Sequence, residues 1–125
     1  MDNSCFINQC FLVGRLVRDP EMRLTLSGIA VTRFTIAVDR PAKRGEEKSA
    51  DFIRIVTWNR LAEICNEYLK KGKLVSIIGR LQIDQFEKDG QARTMTDVVA
   101  EEMQMLDRVN DPAVEVMMQS GSNQE

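Results

Sequence analysis

Apolar and polar residues alternate along most of this chain, and in one stretch the alternation gives way to helical spacing. Strand side chains point to opposite faces with period two. From Ala30 to Val38, this sets Phe34, Ile36 and Val38 on one face and Val31, Arg33, Thr35 and Ala37 on the other. Phe34 and Ile36 are expected in the core. From Asp51 to Trp58, the residues Phe52, Arg54, Val56 and Trp58 share one face and Ile53, Ile55 and Thr57 the other. Leu61, Ile64, Cys65, Tyr68 and Leu69 then recur at the spacing of a helix with one buried stripe. Asn59 is in place to cap that helix, and Gly72, after Lys70 and Lys71, to stop it.

The flanking segments read as strands and turns. Residues 5 to 17 form an apolar strand in which Gly14 predicts a bulge or tight bend. Asp19-Pro20 marks a turn, a short segment runs from Met22 to Leu26, and Ser27-Gly28 turns again. Residues 39 to 50, with Pro41, Gly45 and a mixed cluster of charges, predict a long mobile connection. Residues 74 to 86 predict a long strand bent at Gly79, Lys88-Asp89-Gly90-Gln91 a hairpin turn, and Arg93 to Val99 a last strand. Five curved strands with one short helix between the third and fourth predict an all-β fold. The oligonucleotide/oligosaccharide-binding barrel has this form. Residues 1–107 are expected to make this single domain, and 108–125, rich in Gln, Ser, Asn and Gly, a short disordered tail. Val114, Val116, Met117 and Met118 interrupt that tail.

Composition narrows the chemistry. The chain has 125 residues and no histidine, which removes the commonest general base and metal ligand. Three cysteines, Cys5, Cys10 and Cys65, lack Cys-x-x-Cys spacing and read as reduced thiols, with Cys65 packed on the helix's apolar face. No Gly-rich phosphate loop or nucleophile motif is present, and Asp84 and Asp97 stand in no recognisable catalytic setting. No enzymatic activity, metal or cofactor is expected. No apolar run is long enough to span a bilayer, and Asp2, Asn3 and Ser4 stand where a signal peptide has its basic segment. A cytoplasmic, nucleoid-associated location follows as the expectation. Formal net charge is −2, but residues 15 to 80 hold fourteen Lys or Arg against eight Asp or Glu. What attracts a polyanion is a local patch and not the total.

The face carrying Phe52, Arg54 and Trp58 offers aromatic planes for bases and a cation for phosphate; the competing reading puts both aromatics in the core. Base–aromatic stacking is worth about 1–3 kcal/mol per base and is indifferent to sequence. A following strand with Arg80, Gln82 and Phe86 on one face extends the same chemistry.

The segments Leu12-Val13-Gly14-Arg15-Leu16, Asp19-Pro20-Glu21, Trp58-Asn59-Arg60-Leu61-Ala62-Glu63 and Tyr68-Leu69-Lys70-Lys71-Gly72 resemble the bacterial single-stranded DNA-binding proteins. Gly79-Arg80-Leu81 and Met103-Gln104-Met105-Leu106 do so too, and the resemblance runs from about residue 5 to 107. It implies a DNA path over one barrel face and both long hairpins, with Phe52, Trp58 and Phe86 on three of the family's aromatic positions. A fourth is occupied by Ala42, which shifts the contact there to Arg40, Lys43 or Arg44. Arg15, Arg54 and Arg80 match positions where polar or basic groups approach the strand, and Lys88 and Arg93 flank the second hairpin turn.

The resemblance further implies a homotetramer; the apolar first strand suits a subunit interface as well as a barrel strand buried on both sides. Family members commonly end in an acidic tip that recruits replication and repair proteins. Residues 123–125 read Asn-Gln-Glu, so that recruitment is not expected. The function implied is coating of single-stranded DNA in replication, repair, recombination or DNA uptake. The alternatives are a protein-interaction module of a primosome-like assembly on the same barrel, and an RNA-binding barrel.

Overall fold

A computed structural model describes residues 6–107. Cys5 and the tail expected over 108–125 lie outside the described residues. The described residues form six strands and one helix in order: β1 (Cys10–Leu16), β2 (Glu21–Leu24), β3 (Ala30–Asp39), β4 (Ala50–Trp58), α1 (Asn59–Tyr68), β5 (Leu74–Lys88) and β6 (Gln91–Met105). They pair in the order β1-β5-β6-β4-β3-β2, and a further β1–β3 pairing closes five of them into a ring. Only β4 and β6 run parallel, through Ile55–Val98 and Val56–Val99. The short β2 hangs on the edge of β3 outside the ring. This is the expected barrel, with the segment after Asp19-Pro20 adding a strand.

Alternation explains where the core sits. Phe34, Ile36, Ile55, Val75, Ile77 and Val98 point into the ring, and Ile36, Ile55, Val75 and Ile77 are wholly out of solvent. Each such β-branched side chain favours the pleated backbone and stabilises the barrel by roughly 1.5–3 kcal/mol on burial. The helix and the Leu69 that follows it plug one end, burying Cys65 and Leu69 and half-burying Leu61 and Tyr68, as the apolar stripe predicts. It also buries Ala62, whose carbonyl accepts a 2.6 Å hydrogen bond from the Thr32 hydroxyl. Thr57 donates in turn to the Thr32 carbonyl at 2.9 Å, so the two buried hydroxyls tie helix, β3 and β4 together.

Several expectations need correction. β1 starts at Cys10 and not at residue 5; Asn8 folds its amide back onto β5, donating to the Leu81 carbonyl and accepting from its N–H, both at 2.8 Å. An amide side chain thus satisfies backbone groups that a longer β1 would have met. Of the bulge or tight bend expected at Gly14, the bulge is absent, because β1 stays in register with β5 through it. Gly14 marks a close approach: a Cβ there would strike the Ala37 carbonyl, where β3 comes in to close the ring. Asn59 does not cap α1 with its side chain; it is the first helical residue, in the left-handed region at φ 59° that Asn tolerates. The helix ends at Tyr68, and Gly72 shapes the later turn at φ 91°, where its N–H reaches the Leu16 carbonyl.

The last strand runs on to Met105, six residues beyond Val99. Register slips between Ile78 and Gly79, which pair with Glu102 and Ala100, so Glu101 is the extra residue of a bulge. Gly79 bends β5 there as expected, and no Cβ fits because the Val99 carbonyl occupies the space. The hairpin turns through Asp89 and Gly90, both at positive φ (54° and 77°), as a tight two-residue connection requires. Asp107 closes the domain: its carboxylate accepts from the Leu74 N–H at 2.7 Å and lies 3.4 Å from Arg15.

Candidate nucleic-acid interface

The outer face of β4 carries Phe52, Arg54, Val56 and Trp58, the residues that alternation puts together. Phe52 is 69% exposed and Trp58 41%, whereas Ile53 and Ile55 on the other face turn inward. That decides between the two readings of these aromatics: they are surface, not core. Their cross-strand partners on β3 are small or extended: Ala37 opposite Phe52, Thr35 opposite Arg54, Arg33 opposite Val56 and Val31 opposite Trp58. Nothing bulky on β3 covers the aromatic rings.

On the other side of β4 lies β6, and beyond it β5. Arg80 pairs with Val99, Gln82 with Asp97, Asp84 with Met95 and Phe86 with Arg93. Trp58 and Arg54 therefore face Arg80 and Gln82 across a groove of about 520 Å³ with Val56 and Val99 in its floor. Arg33, Arg54 and Arg80 line it against Asp84 and Asp97, a small positive excess. A second groove of about 400 Å³ follows along the hairpin, lined by Arg54, Phe86, Lys88 and Arg93 with Thr94, Met95 and Thr96. Among the described residues, three cations and no carboxylate line this one. Phe86 is 40% exposed at its wall. Arg54 stands where the two grooves meet.

Of the candidates read from sequence, Arg54, Trp58, Arg80, Phe86, Lys88 and Arg93 come together along this path. Phe52 continues the β4 row toward the 40–49 connection and lines neither groove. Arg40 stands at the base of that connection with Nε and Nη2 on the Asp51 carboxylate at 2.8 and 2.6 Å. That bond holds the Asp51 carboxyl below its usual range and raises the Arg40 guanidinium. An exposed pair of this kind does little for stability, and it leaves Arg40 half-engaged. Lys43 and Arg44 are exposed in a turn where Glu46 donates its N–H to the Lys43 carbonyl at 3.0 Å. Arg15 shares an outer row with Ala37 and Phe52, but its guanidinium donates to the Gly72 carbonyl at 2.9 Å and faces Asp107. Its present partners are structural.

Sequence reasoning passed over Arg33 and Asp97 as site residues. Arg33 was legible, since it shares a face with Thr35 and Ala37 on the strand preceding β4. Asp97 was not, because only the parallel β4–β6 pairing brings it beside Arg54, at 3.2 Å from Nε.

Comparison with known proteins adds to this geometry. Residues 7–106 match the family described as the single-strand binding protein family. A protein of Listeria innocua named single-stranded DNA-binding protein 3 is 47% identical over 103 residues, covering 81% of this chain and 64% of the relative. One of the same name from Clostridium acetobutylicum is 46% identical over 103 residues, covering 81% and 72%. The single-stranded DNA-binding protein of Thermotoga maritima is 47% identical over 107 residues, covering 82% and 76%. Among solved structures, a Plasmodium falciparum single-strand binding protein in complex with single-stranded DNA superposes with a TM-score of 0.78 at 22% identity. It is matched over 85% of this chain and its whole length. At that identity the superposition speaks for the fold.

Proposed function

The chain belongs to the single-strand binding protein family, and we propose that it binds single-stranded DNA, largely without regard to sequence and without catalysing a reaction. The observation that carries this reading is the exposed β4 row, where aromatic planes and a guanidinium alternate beside a groove lined by three cations. Bases stack on Phe52, Trp58 and Phe86, and phosphates are met by Lys88 and Arg93 on the hairpin and by Lys43 and Arg44 on the 40–49 connection. Stacking supplies about 1–3 kcal/mol per base whatever the base is, which suits a protein that coats transient single strands. Replication, repair, recombination and DNA uptake all produce such strands, in the cytoplasm and at the nucleoid.

The proposed assembly is a homotetramer. Residues 10–14 of β1 pair with β5 alone, since β3 meets only Arg15 and Leu16. Among the described residues their other edge is open, and an open edge invites another strand. Phe11 and Val13 on its outer face are 69% and 52% exposed, with Phe6 and Ile7 still more so in the preceding arm. Joining several protomers sets several grooves on one strand and raises avidity without new contacts. The single domain supporting all this is residues 1–107.

Competition binding tests the reading. A fluorescent oligo-dT is titrated with the protein, then challenged with unlabelled oligo-dT, duplex DNA and oligo-U of equal length. Tight binding that oligo-dT displaces and duplex does not supports strand coating. Displacement by oligo-U well below oligo-dT would make the target RNA, and absence of binding to any of the three would leave the protein-interaction module.

A further inference from the structure

Among the described residues, Asp97 Oδ1 is the one buried side-chain acceptor that receives no hydrogen bond. About nine-tenths of the Asp97 side chain is out of solvent, and it stands in the wall of the groove between β4 and β5. A carboxylate so placed is costly unless a cation answers it. Arg54 does so, with Nε 3.2 Å from Oδ1. The contact is one of charge: the N–H does not lie along a hydrogen bond to that oxygen. Arg54 itself is half-exposed, with Phe52 and Trp58 two and four residues away along the same face of β4.

We propose that Asp97 is a positioning residue that assigns Arg54 to the bases of the bound strand and withholds it from the phosphates. The reason is electrostatic. A phosphate close enough to clamp on Arg54 would come within a few ångströms of a fixed, poorly solvated carboxylate, and like charges at that range repel strongly where water is scarce. A base is neutral. It can stack on the guanidinium as on the neighbouring aromatics, and its amino groups tolerate the carboxylate. Arg54 is therefore already neutralised and releases no counterion when DNA arrives, unlike Lys88 and Arg93, whose groove has no acid among the described residues. On the β4 face, Phe52, Arg54 and Trp58 then all serve the bases, with the buried Val56 between Arg54 and Trp58 and the phosphates running along the hairpin.

This inference rests on the proposed strand binding and deepens it. The test measures the slope of log affinity for oligo-dT against log salt, for single strands about 0.7 per neutralised phosphate. Arg54→Gln keeps a planar group without charge, and Arg54→Lys keeps the charge without the plane. The inference expects R54Q to weaken binding with the wild-type slope, and R54K to weaken it at least as much, by about fivefold or more. It further expects Asp97→Asn to steepen the slope by about 0.7 and the double variant D97N/R54Q to return to the wild-type slope. Near wild-type binding by R54K, with a slope about 0.7 shallower in R54Q, would overturn it and make Arg54 a phosphate clamp. So would an unchanged slope in D97N, or a steeper slope that persists in the double variant, which would mean that Asp97 acts only on the general field. Thermal melts check the fold of each variant; where D97N, or R54Q with its unanswered carboxylate, does not fold, the double variant D97N/R54Q decides, a wild-type slope supporting the inference and a slope about 0.7 shallower overturning it. Failure of the wild-type protein to bind oligo-dT at any salt would overturn the strand-binding reading, and this inference with it.

Discussion

Trp58 ends β4 and Cys65 lies within the helix that follows at once, yet one faces solvent and the other is sealed. The cause is the change of period, from two to helical, at Asn59. Burial pushes the Cys65 thiol up to about 12, against which a hydrogen bond with Thr57 pulls only weakly. Native protein should therefore be spared by a maleimide at the buried Cys65 until denaturant is added. Mass spectrometry of the labelled peptides reads this directly, and native labelling at Cys65 would contradict the packing. A thiol raised in the folded state stabilises fully below its ordinary value of 9.0 and progressively less as pH climbs toward 12. Urea midpoints should accordingly be flat through neutral pH and fall above about 9, and Cys65→Ala should lessen that fall. At this scale the sequence was readable wherever a period decided a face: Phe34, Ile36, Phe52 and Trp58 lie where alternation groups them, and Cys65 lies on the helix's apolar stripe. Asp97 was unreadable because its significance comes from a partner on β4, and parallel pairing between distant segments leaves no mark in local spacing.

Among the elements, β5 and β6 shape the proposed site more than any other pair, since their long hairpin carries Phe86, Lys88 and Arg93. Its geometry depends on Gly79, where the bulge at Glu101 redirects both strands. Gly79→Ala would drive a Cβ into the Val99 carbonyl. Backbone cannot yield as a side-chain tip can, so the variant should lose about 1–3 kcal/mol of stability, seen as a lower urea midpoint. An unchanged midpoint would mean the two strands separate there without cost. The bulge also explains why β6 outruns its sequence signal. Alternation that serves Asp97, Val98 and Val99 is thrown out of phase by the extra Glu101, and the adjoining Glu101-Glu102 reads as the end of a strand. The start of β1 was misread for the complementary reason. Phe6 and Ile7 have strand-like character, but their backbone is held off the sheet by the Asn8 clasp on Leu81.

For the whole molecule, strand binding must carry the signature of a charged path. The affinity for oligo-dT should fall steeply with salt, and Lys43→Glu with Arg44→Glu should flatten that dependence, each lost phosphate contact removing about 0.7 from the slope. An unaltered slope would route the strand away from the 40–49 connection. Assembly is tested separately: Val13→Glu sets a charge on the open stretch of β1 and should shift sedimentation to smaller species with the barrel still folded. An undisturbed oligomer would move the interface elsewhere. Neither result alone reaches the central claim, which is that bases lie on the aromatic face of β4. Trp58 is the chain's single tryptophan, so its fluorescence reports on that face without a label. Titration with poly-dT should quench the emission to saturation, and Trp58→Ala should weaken binding by about 1–3 kcal/mol while the protein stays folded. Full binding of poly-dT, measured independently, with Trp58 emission unchanged would contradict the account.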